Sequence, residues 1–266
     1  MTRHSRRDFL RIGMAGATVA LSASCARPAT TQPALGMIFP PADYPVPPEA
    51  HILYPSGVTF LSRGIGLEAM RPDSYDAAIP RVIPAAQELA REGATAISVM
   101  GTSLTFYKGR HFNEDLTARV ADATGLPTTT MSTGIVEGLR LAGARRVALA
   151  TAYKDEVTGR LQAFLEEHGF EVPFANGLGY ERIPEGGIIQ DDTLLQFSAD
   201  VFARAAGADT LLISCGGLKT LDLIVPLEAL CQVPVVSSTP HALMNGVRLV
   251  GLSGRAQGFG RVLANA

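Results

Sequence analysis

The chain has 266 residues, 47% of them hydrophobic and 18% charged, enough to build a substantial core in one large domain or two small lobes. Its 23 Lys+Arg face 25 Asp+Glu, and setting aside the four arginines and one aspartate of the first 26 residues leaves 19 basic against 24 acidic. That balance excludes the basic surplus with which proteins engage nucleic acid or an anionic membrane surface.

The chain opens on Ser5-Arg6-Arg7-Asp8-Phe9-Leu10-Arg11, followed by a small-residue apolar run from Ile12 to Ala23 that is too short to span a bilayer. A charged n-region and a short h-region read as a twin-arginine export signal, with residues 1–33 as leader and linker and a periplasmic mature protein. Leu21-Ser22-Ala23-Ser24-Cys25 resembles a lipoprotein cleavage box, but serine three before the cysteine is unusual, so a lipid-anchored form ranks second. No later segment is long and apolar enough to insert stably in a membrane.

Strands and helices alternate after the linker. Leu35 to Phe39 reads as a strand closed by Pro40-Pro41, and Asp73 to Glu92 as one helix with Asp73 as N-cap and Gly93 as its stop. Ala94 to Met100 is an apolar strand running into Gly101-Thr102-Ser103. A helix over 113–124, a short strand over 128–131 and a helix over 132–141 follow. The next strand, 146–150, ends at Thr151-Ala152-Tyr153, and a helix over 155–168 leads to a strand near 171–174 and a looser Gly/Pro stretch over 176–190. A helix over 191–206, a strand over 210–214, a helix over 219–230, a strand over 233–237 and a last helix from Pro240 complete the series. Repeated β-α-β units with continuously apolar strands predict parallel sheets covered on both faces.

Leu211-Leu212-Ile213-Ser214 leads into Cys215-Gly216-Gly217-Leu218, placing a thiol and two glycines at a strand end, where open α/β sheets bind ligands. The glycines allow backbone N–H groups to approach an anion, and a helix starting near Lys219 would add its positive end. Against this stands a core cysteine at a tight turn. Burial and carboxylates raise a thiol pKa while a glycine turn and helix terminus lower it, so the sequence leaves the charge of Cys215 open. Pairing with Cys231 is disfavoured: about fifteen helical residues separate the two by roughly 20 Å, beyond disulfide reach.

His4, His51, His111, His168 and His241 are scattered without ligand spacing, and Gly64-Ile65-Gly66 lacks the rest of a dinucleotide fingerprint. No cofactor motif is therefore recognised. The segment 97–103 weakly echoes 211–217, each an apolar strand ending in small or hydroxyl residues and followed by a helix and then a Pro-led strand (Leu126-Pro127-Thr128, Val233-Pro234-Val235); two similar lobes facing a cleft would explain it, as would the β-α-β grammar that parallel sheets repeat anyway.

These strand ends carry a family resemblance. Gly36-Met37-Ile38-Phe39-Pro40-Pro41, Met100-Gly101-Thr102-Ser103-Leu104, Thr129-Thr130-Met131-Ser132-Thr133, Ala148-Leu149-Ala150-Thr151-Ala152-Tyr153, Ser214-Cys215-Gly216-Gly217-Leu218 and Val233-Pro234-Val235-Val236-Ser237-Ser238 together resemble the arylmalonate decarboxylases of the aspartate/glutamate racemase superfamily. The resemblance implies an α/β fold of two pseudo-symmetric Rossmann-like lobes, residues 34–130 with 239–266 and residues 131–238, with the site between them. It also implies a cofactor-free enzyme acting on a small-molecule malonate. The leader is a departure from that pattern. Superfamily racemases carry a cysteine on each side of the cleft, whereas here Gly101 stands at the first place and only Cys215 remains. That favours loss of CO2 and one-sided protonation by Cys215 over racemisation or maleate-type isomerisation. Gly101 has a second reading as a left-handed turn glycine.

By the same resemblance, Thr102, Ser103, Tyr153 and backbone N–H groups around Ser103, Cys215 and Gly216 form a dioxyanion hole for an enediolate. Pro40, Pro41, Leu67, Met70 and Leu104 line an apolar pocket for the departing carboxylate, bordered by Gly101 and Gly217, with residues around Ile183 to Ile189 as a cover. Taken without the family, Thr102 and Ser103 read as helix caps and Tyr153 as an amphipathic rim residue. The competing class is an exported, non-catalytic binding protein for a dicarboxylate.

Overall fold

A computed structural model describes residues 32–182 and 191–266. The leader up to residue 31 and the expected cover at 183–189 lie outside the described residues. The first part of the described chain contains β1 (Ala34–Phe39), α1 (Pro48–Leu53), β2 (Thr59–Gly64), α2 (Pro72–Ala78), α3 (Val82–Arg91), β3 (Ala96–Val99), α4 (Thr102–Phe106), α5 (Gly109–Thr124) and β4 (Thr128–Thr130). Then follow α6 (Met131–Leu141), β5 (Arg146–Tyr153), α7 (Asp155–Glu167), β6 (Glu171–Tyr180), α8 (Asp191–Arg204), β7 (Thr210–Ser214), α9 (Ile224–Cys231), β8 (Val235–Ser237), α10 (Ser238–Leu249) and α11 (Arg261–Ala264).

The strands form two four-stranded sheets ordered β2-β1-β3-β4 and β6-β5-β7-β8, with every pairing parallel. The inner strands β1, β3 and β7 are buried at every residue, as expected of apolar runs covered by helices on both faces. Because the sheets share one strand order, β3 and β7 hold equivalent places, and the turns after them, Met100-Gly101-Thr102 and Cys215-Gly216-Gly217, face the same cavity.

Each sheet's last strand leads directly into a helix, β4 into α6 and β8 into α10, and these two helices pack on each other. Gly134 and Gly138 allow the close approach: a Cβ at Gly134 would lie 2.7 Å from Ala242 Cα, and one at Gly138 2.8 Å from His241 Cδ2.

Several expected boundaries differ. The single helix over 73–92 is two helices joined by a 3₁₀ turn, Ile79–Arg81, because Pro80 cannot donate to a continuous ladder; Pro72 occupies the first turn of α2 and Arg71, not Asp73, is the N-cap. β6 does not stop at Phe174 but runs through the glycines to Tyr180, paired with β5, and a side chain at Gly177 would collide with the Tyr153 carbonyl. The helix expected from Lys219 starts at Ile224 after a 3₁₀ turn, Leu221–Leu223, so no α-helical N-terminus adjoins Gly217. β2 is an addition to the expected strands; it is an edge strand of mixed exposure, Thr59-Phe60-Leu61-Ser62-Arg63-Gly64. No helix among the described residues is long and apolar enough to cross a membrane.

Candidate active site

A cavity of about 270 Å³ opens at the carboxyl ends of both sheets, where parallel α/β sheets place their ligands. Strand-end turns supply its chemistry: Gly101, Thr102 and Ser103 after β3, Tyr153 at the end of β5, and Cys215, Gly216 and Gly217 after β7. Pro40, Pro41, Leu67 and Met70 form much of its apolar wall. Leu104 is placed differently: it is fully buried in α4 and packs beneath Gly101 instead of lining the cavity.

Cys215 is 5% exposed and unbridged, and Cys231 is likewise a free thiol. Burial pushes the Cys215 pKa up to about 11; the Gly217 N–H, 3.4 Å from Sγ, the Tyr153 hydroxyl and the Leu218 N–H favour the thiolate but do not offset desolvation. The residue therefore presents a neutral S–H at physiological pH. Met70 Sδ lies 4.0 Å from that sulfur, so the thiol has a soft, apolar neighbour. The N–H of Cys215 is already engaged, donating to Ser238 Oγ at 3.1 Å, while that of Gly216 finds no partner among the described residues.

The other donors are hydroxyls. Thr102 Oγ1 donates only to the sulfur of Met131, at 2.7 Å, a weak acceptor that a ligand oxygen displaces at little cost. Thr102 and Ser103 begin the short helix α4, so their N–H groups have no intrahelical acceptor, and neither side chain caps the helix. Tyr153 is fully buried against the edge of Phe106, with ring centroids 5.9 Å apart, and its hydroxyl has no hydrogen bond of normal geometry although Cys215, Ser214 and Thr102 surround it. Burial raises its phenol pKa well above the usual value, so it remains a donor. A buried, unpartnered hydroxyl aimed at a cavity is costly in the empty protein and is repaid by a ligand acceptor.

Gly101 does not need glycine for its backbone: with φ −117° and ψ 101° it is extended, and the left-handed reading fails. Space is the constraint, since a Cβ there would lie 2.9 Å from Pro40 Cγ and 3.0 Å from Leu104 Cβ.

Sequence reasoning missed part of the wall. Tyr44 stacks on Phe39, with centroids 4.6 Å apart, and both border the cavity with Met100 and Met131. Tyr75, fully buried with an unpartnered hydroxyl, sits beside Ser103. At the mouth, Glu68, Glu181 and Arg182 add charge; Glu181 pairs with Arg71 at 3.2 Å and with Lys154, and its carbonyl accepts Met70 N–H at 2.7 Å, tying the loop before α2 to the end of β6.

A family model for arylmalonate decarboxylase matches residues 35–263, which takes in both sheets except Ala34 and every candidate site residue. The chain belongs to the arylmalonate decarboxylase family. It is 45% identical over 231 residues to arylmalonate decarboxylase of Bordetella bronchiseptica, covering 86% of this chain and 96% of that protein. An unliganded arylmalonate decarboxylase structure superposes with a TM-score of 0.80 at 43% identity, covering 88% of this chain and all of that one. Maleate isomerase from Pseudomonas putida S16, at 19% identity and a TM-score of 0.79 over 87% of this chain and 98% of its own, shares the fold. Family membership makes the protein a carboxy-lyase of the arylmalonate decarboxylase type, and the two-sheet architecture is that of the family.

Proposed function

We propose that the enzyme decarboxylates disubstituted arylmalonates to arylalkanoates such as 2-arylpropionates without a cofactor, using Cys215 as the acid. One substrate carboxylate is held by Thr102, Ser103, Tyr153 and the Gly216 N–H; the other lies against Pro40, Pro41, Leu67 and Met70, poorly solvated. The bond from the α-carbon to that second carboxylate breaks, its electron pair passes into the retained carboxylate as an enediolate, and neutral CO2 leaves. Cys215 S–H then transfers its proton to one face of the α-carbon, and the thiolate takes a proton from water.

The observation that carries this reading is a buried thiol held in its protonated form inside a cavity that also contains the unpartnered Tyr153 hydroxyl. Incubating the protein with phenylmalonate should release CO2, and a prochiral arylmethylmalonate in D2O should give one dominant enantiomer with one α-deuterium. Cys215→Ala should lose roughly 10²–10⁴-fold in turnover, the range for a positioned general acid. Binding without turnover would instead identify a dicarboxylate-binding protein, and exchange of the α-proton from both product enantiomers would identify a racemase.

The site of action is proposed from the leader alone: export by the twin-arginine machinery to the periplasm, read from Arg6 and Arg7. Replacing both by Lys should leave the precursor in the cytoplasm. Unchanged periplasmic recovery refutes the export reading.

A further inference from the structure

The turn that carries Cys215 is held from behind by residues that take no part in the chemistry above. β7 and β8 pair through Leu211–Val235, Leu212–Val236 and Ile213–Ser237. At Ser238 the chain turns into α10 and its backbone leaves the ladder. A side chain takes over there: the buried N–H of Cys215 donates to Ser238 Oγ at 3.1 Å, and Thr239 Oγ1 donates to the Gly216 carbonyl at 3.4 Å. Ser237 just before them is itself fixed, its hydroxyl accepting from Thr220 Oγ1 at 3.0 Å and its N–H donating to Nδ1 of the fully buried His241 at 3.1 Å.

The other sheet uses the same device. β4 ends at Thr130, α6 begins at Met131, and Ser132 Oγ donates to the Thr102 carbonyl at 3.1 Å while sharing a 2.6 Å hydrogen bond with Thr105 Oγ1. Thr102 follows Gly101 as Gly216 follows Cys215, so Ser132 and Thr239 fasten equivalent carbonyls. Because α6 and α10 pack closely at Gly134 and Ala242, the two turns are braced by one helix pair.

We propose that Ser238, assisted by Thr239, is a positioning residue for the acid: its hydroxyl fixes the backbone of Cys215 so that Sγ meets one face of the substrate carbon. The proposal rests on the decarboxylase reading and adds to it which residues outside the cavity set the stereochemical outcome. Neither Ser238 nor Thr239 lines the cavity, so neither touches substrate.

The test compares wild type, Ser238→Ala, Thr239→Val and Thr239→Ser. Three quantities are read on each: kcat and KM for an arylmethylmalonate, the enantiomer ratio of the product, and the rate of Cys215 alkylation by iodoacetamide. The last is followed on the Cys215 peptide by mass spectrometry, because Cys231 is also free. Folded Ser238→Ala should keep KM within about twofold, lose roughly ten- to a hundredfold in kcat, within what a 1 Å misplacement costs, give a less pure enantiomer, and alkylate faster at a given pH. Thr239→Val should shift the same quantities in the same direction, and Thr239→Ser, which keeps the hydroxyl, should not. Wild-type kcat, enantiomer ratio and alkylation rate in folded Ser238→Ala, with only a lower Tm, would overturn the proposal by reducing the hydroxyl to a structural role. Should Ser238→Ala not fold, the same result in Thr239→Val overturns it. If wild type released no CO2, the decarboxylase reading would fail separately, and alkylation alone would decide the positioning: unchanged rates in Ser238→Ala and Thr239→Val reject it.

Discussion

Gly101→Cys places a second thiol across the cavity from the first. Gly101 and Cys215 lie in the turns after β3 and β7, strands in equivalent places of two sheets with one order, so the variant puts a thiol on each side of the cavity, the arrangement that the sequence resemblance ascribes to racemases. The backbone accepts the change, since φ is −117°. Space is the obstacle: the new Cβ would meet Pro40 Cγ at 2.9 Å and Leu104 Cβ and Cδ2 at 3.0 and 3.2 Å, so the Pro40 ring and the Leu104 side chain must move by a few tenths of an ångström. Overpacking of this kind costs about 1–3 kcal/mol. At about 2–4 °C per kcal/mol for a chain of this size, Tm should fall by roughly 2–12 °C, leaving a folded enzyme at 25 °C. Chiral chromatography of the product should then show a shift toward racemate, and proton NMR in D2O should show slow exchange of the α-proton of an added 2-arylpropionate. A folded variant with an unchanged enantiomer ratio and no exchange would show that the face opposite Cys215 is not served from position 101, and the one-thiol argument would fail.

Stability should fall at both pH extremes for identifiable reasons. The Cys215 thiol has a folded pKa of about 11 against an ordinary 9.0, so its contribution is fully present below pH 9 and is lost as pH rises through 11, a change of about 3 kcal/mol; urea midpoints measured from pH 8 upward should fall less steeply in Cys215→Ala, and equal slopes would contradict the assignment. His241, fully buried, has its pKa lowered by desolvation from 6.5 to about 4, so stability present above pH 6.5 should be lost as pH falls through 4, again by about 3 kcal/mol; His241→Asn should flatten that limb of the profile. Activity should survive chelation and extensive dialysis, and loss reversed by a metal ion would refute the cofactor-free reaction.

What the sequence reveals depends on how local the determining physics is. Continuous apolar runs such as Leu211-Leu212-Ile213 announce buried parallel strands, and the thiol and glycines after that run mark Cys215 as a site candidate, whereas Thr102, Ser103 and Tyr153 read alone as caps and a rim residue and gain a site role only through the family resemblance. β2 is not, because an edge strand needs no apolar face on its outer side and Ser62-Arg63-Gly64 reads as loop. Residues that reach the cavity from other segments, such as Tyr44, Met131 and Glu181, leave no local signal. Ser238 is hidden for another reason: a serine at a helix start looks like a cap, yet its hydroxyl serves Cys215, which is distant in sequence. Leu104 departs from the expected lining because a residue two beyond a strand-end turn can face either the cavity or the core, and α4 turns it to the core.

The charge state of Cys215, open in the sequence, bears on direction as well as rate. A thiol with pKa near 11 is about one part in 10⁴ thiolate at pH 7. In the proposed reaction, as an acid toward an enediolate, a far stronger base, it would deliver its proton readily. Running the step backward requires the thiolate to take a proton from the weakly acidic α-carbon of the product, and that thiolate is both scarce and poorly solvated among Met70, Leu218 and the strand-end turn. On the proposed mechanism racemisation would be suppressed twice, once because Gly101 offers no partner on the second face and once because burial favours the protonated form of the single thiol. The apolar wall proposed to drive a carboxylate toward neutral CO2 borders the same buried surroundings that raise the thiol pKa. Substituting Met70 by a polar residue should therefore slow carbon–carbon cleavage and, by lowering the thiol pKa, make product α-proton exchange easier; the two effects are separable by following CO2 release and deuterium exchange in one variant.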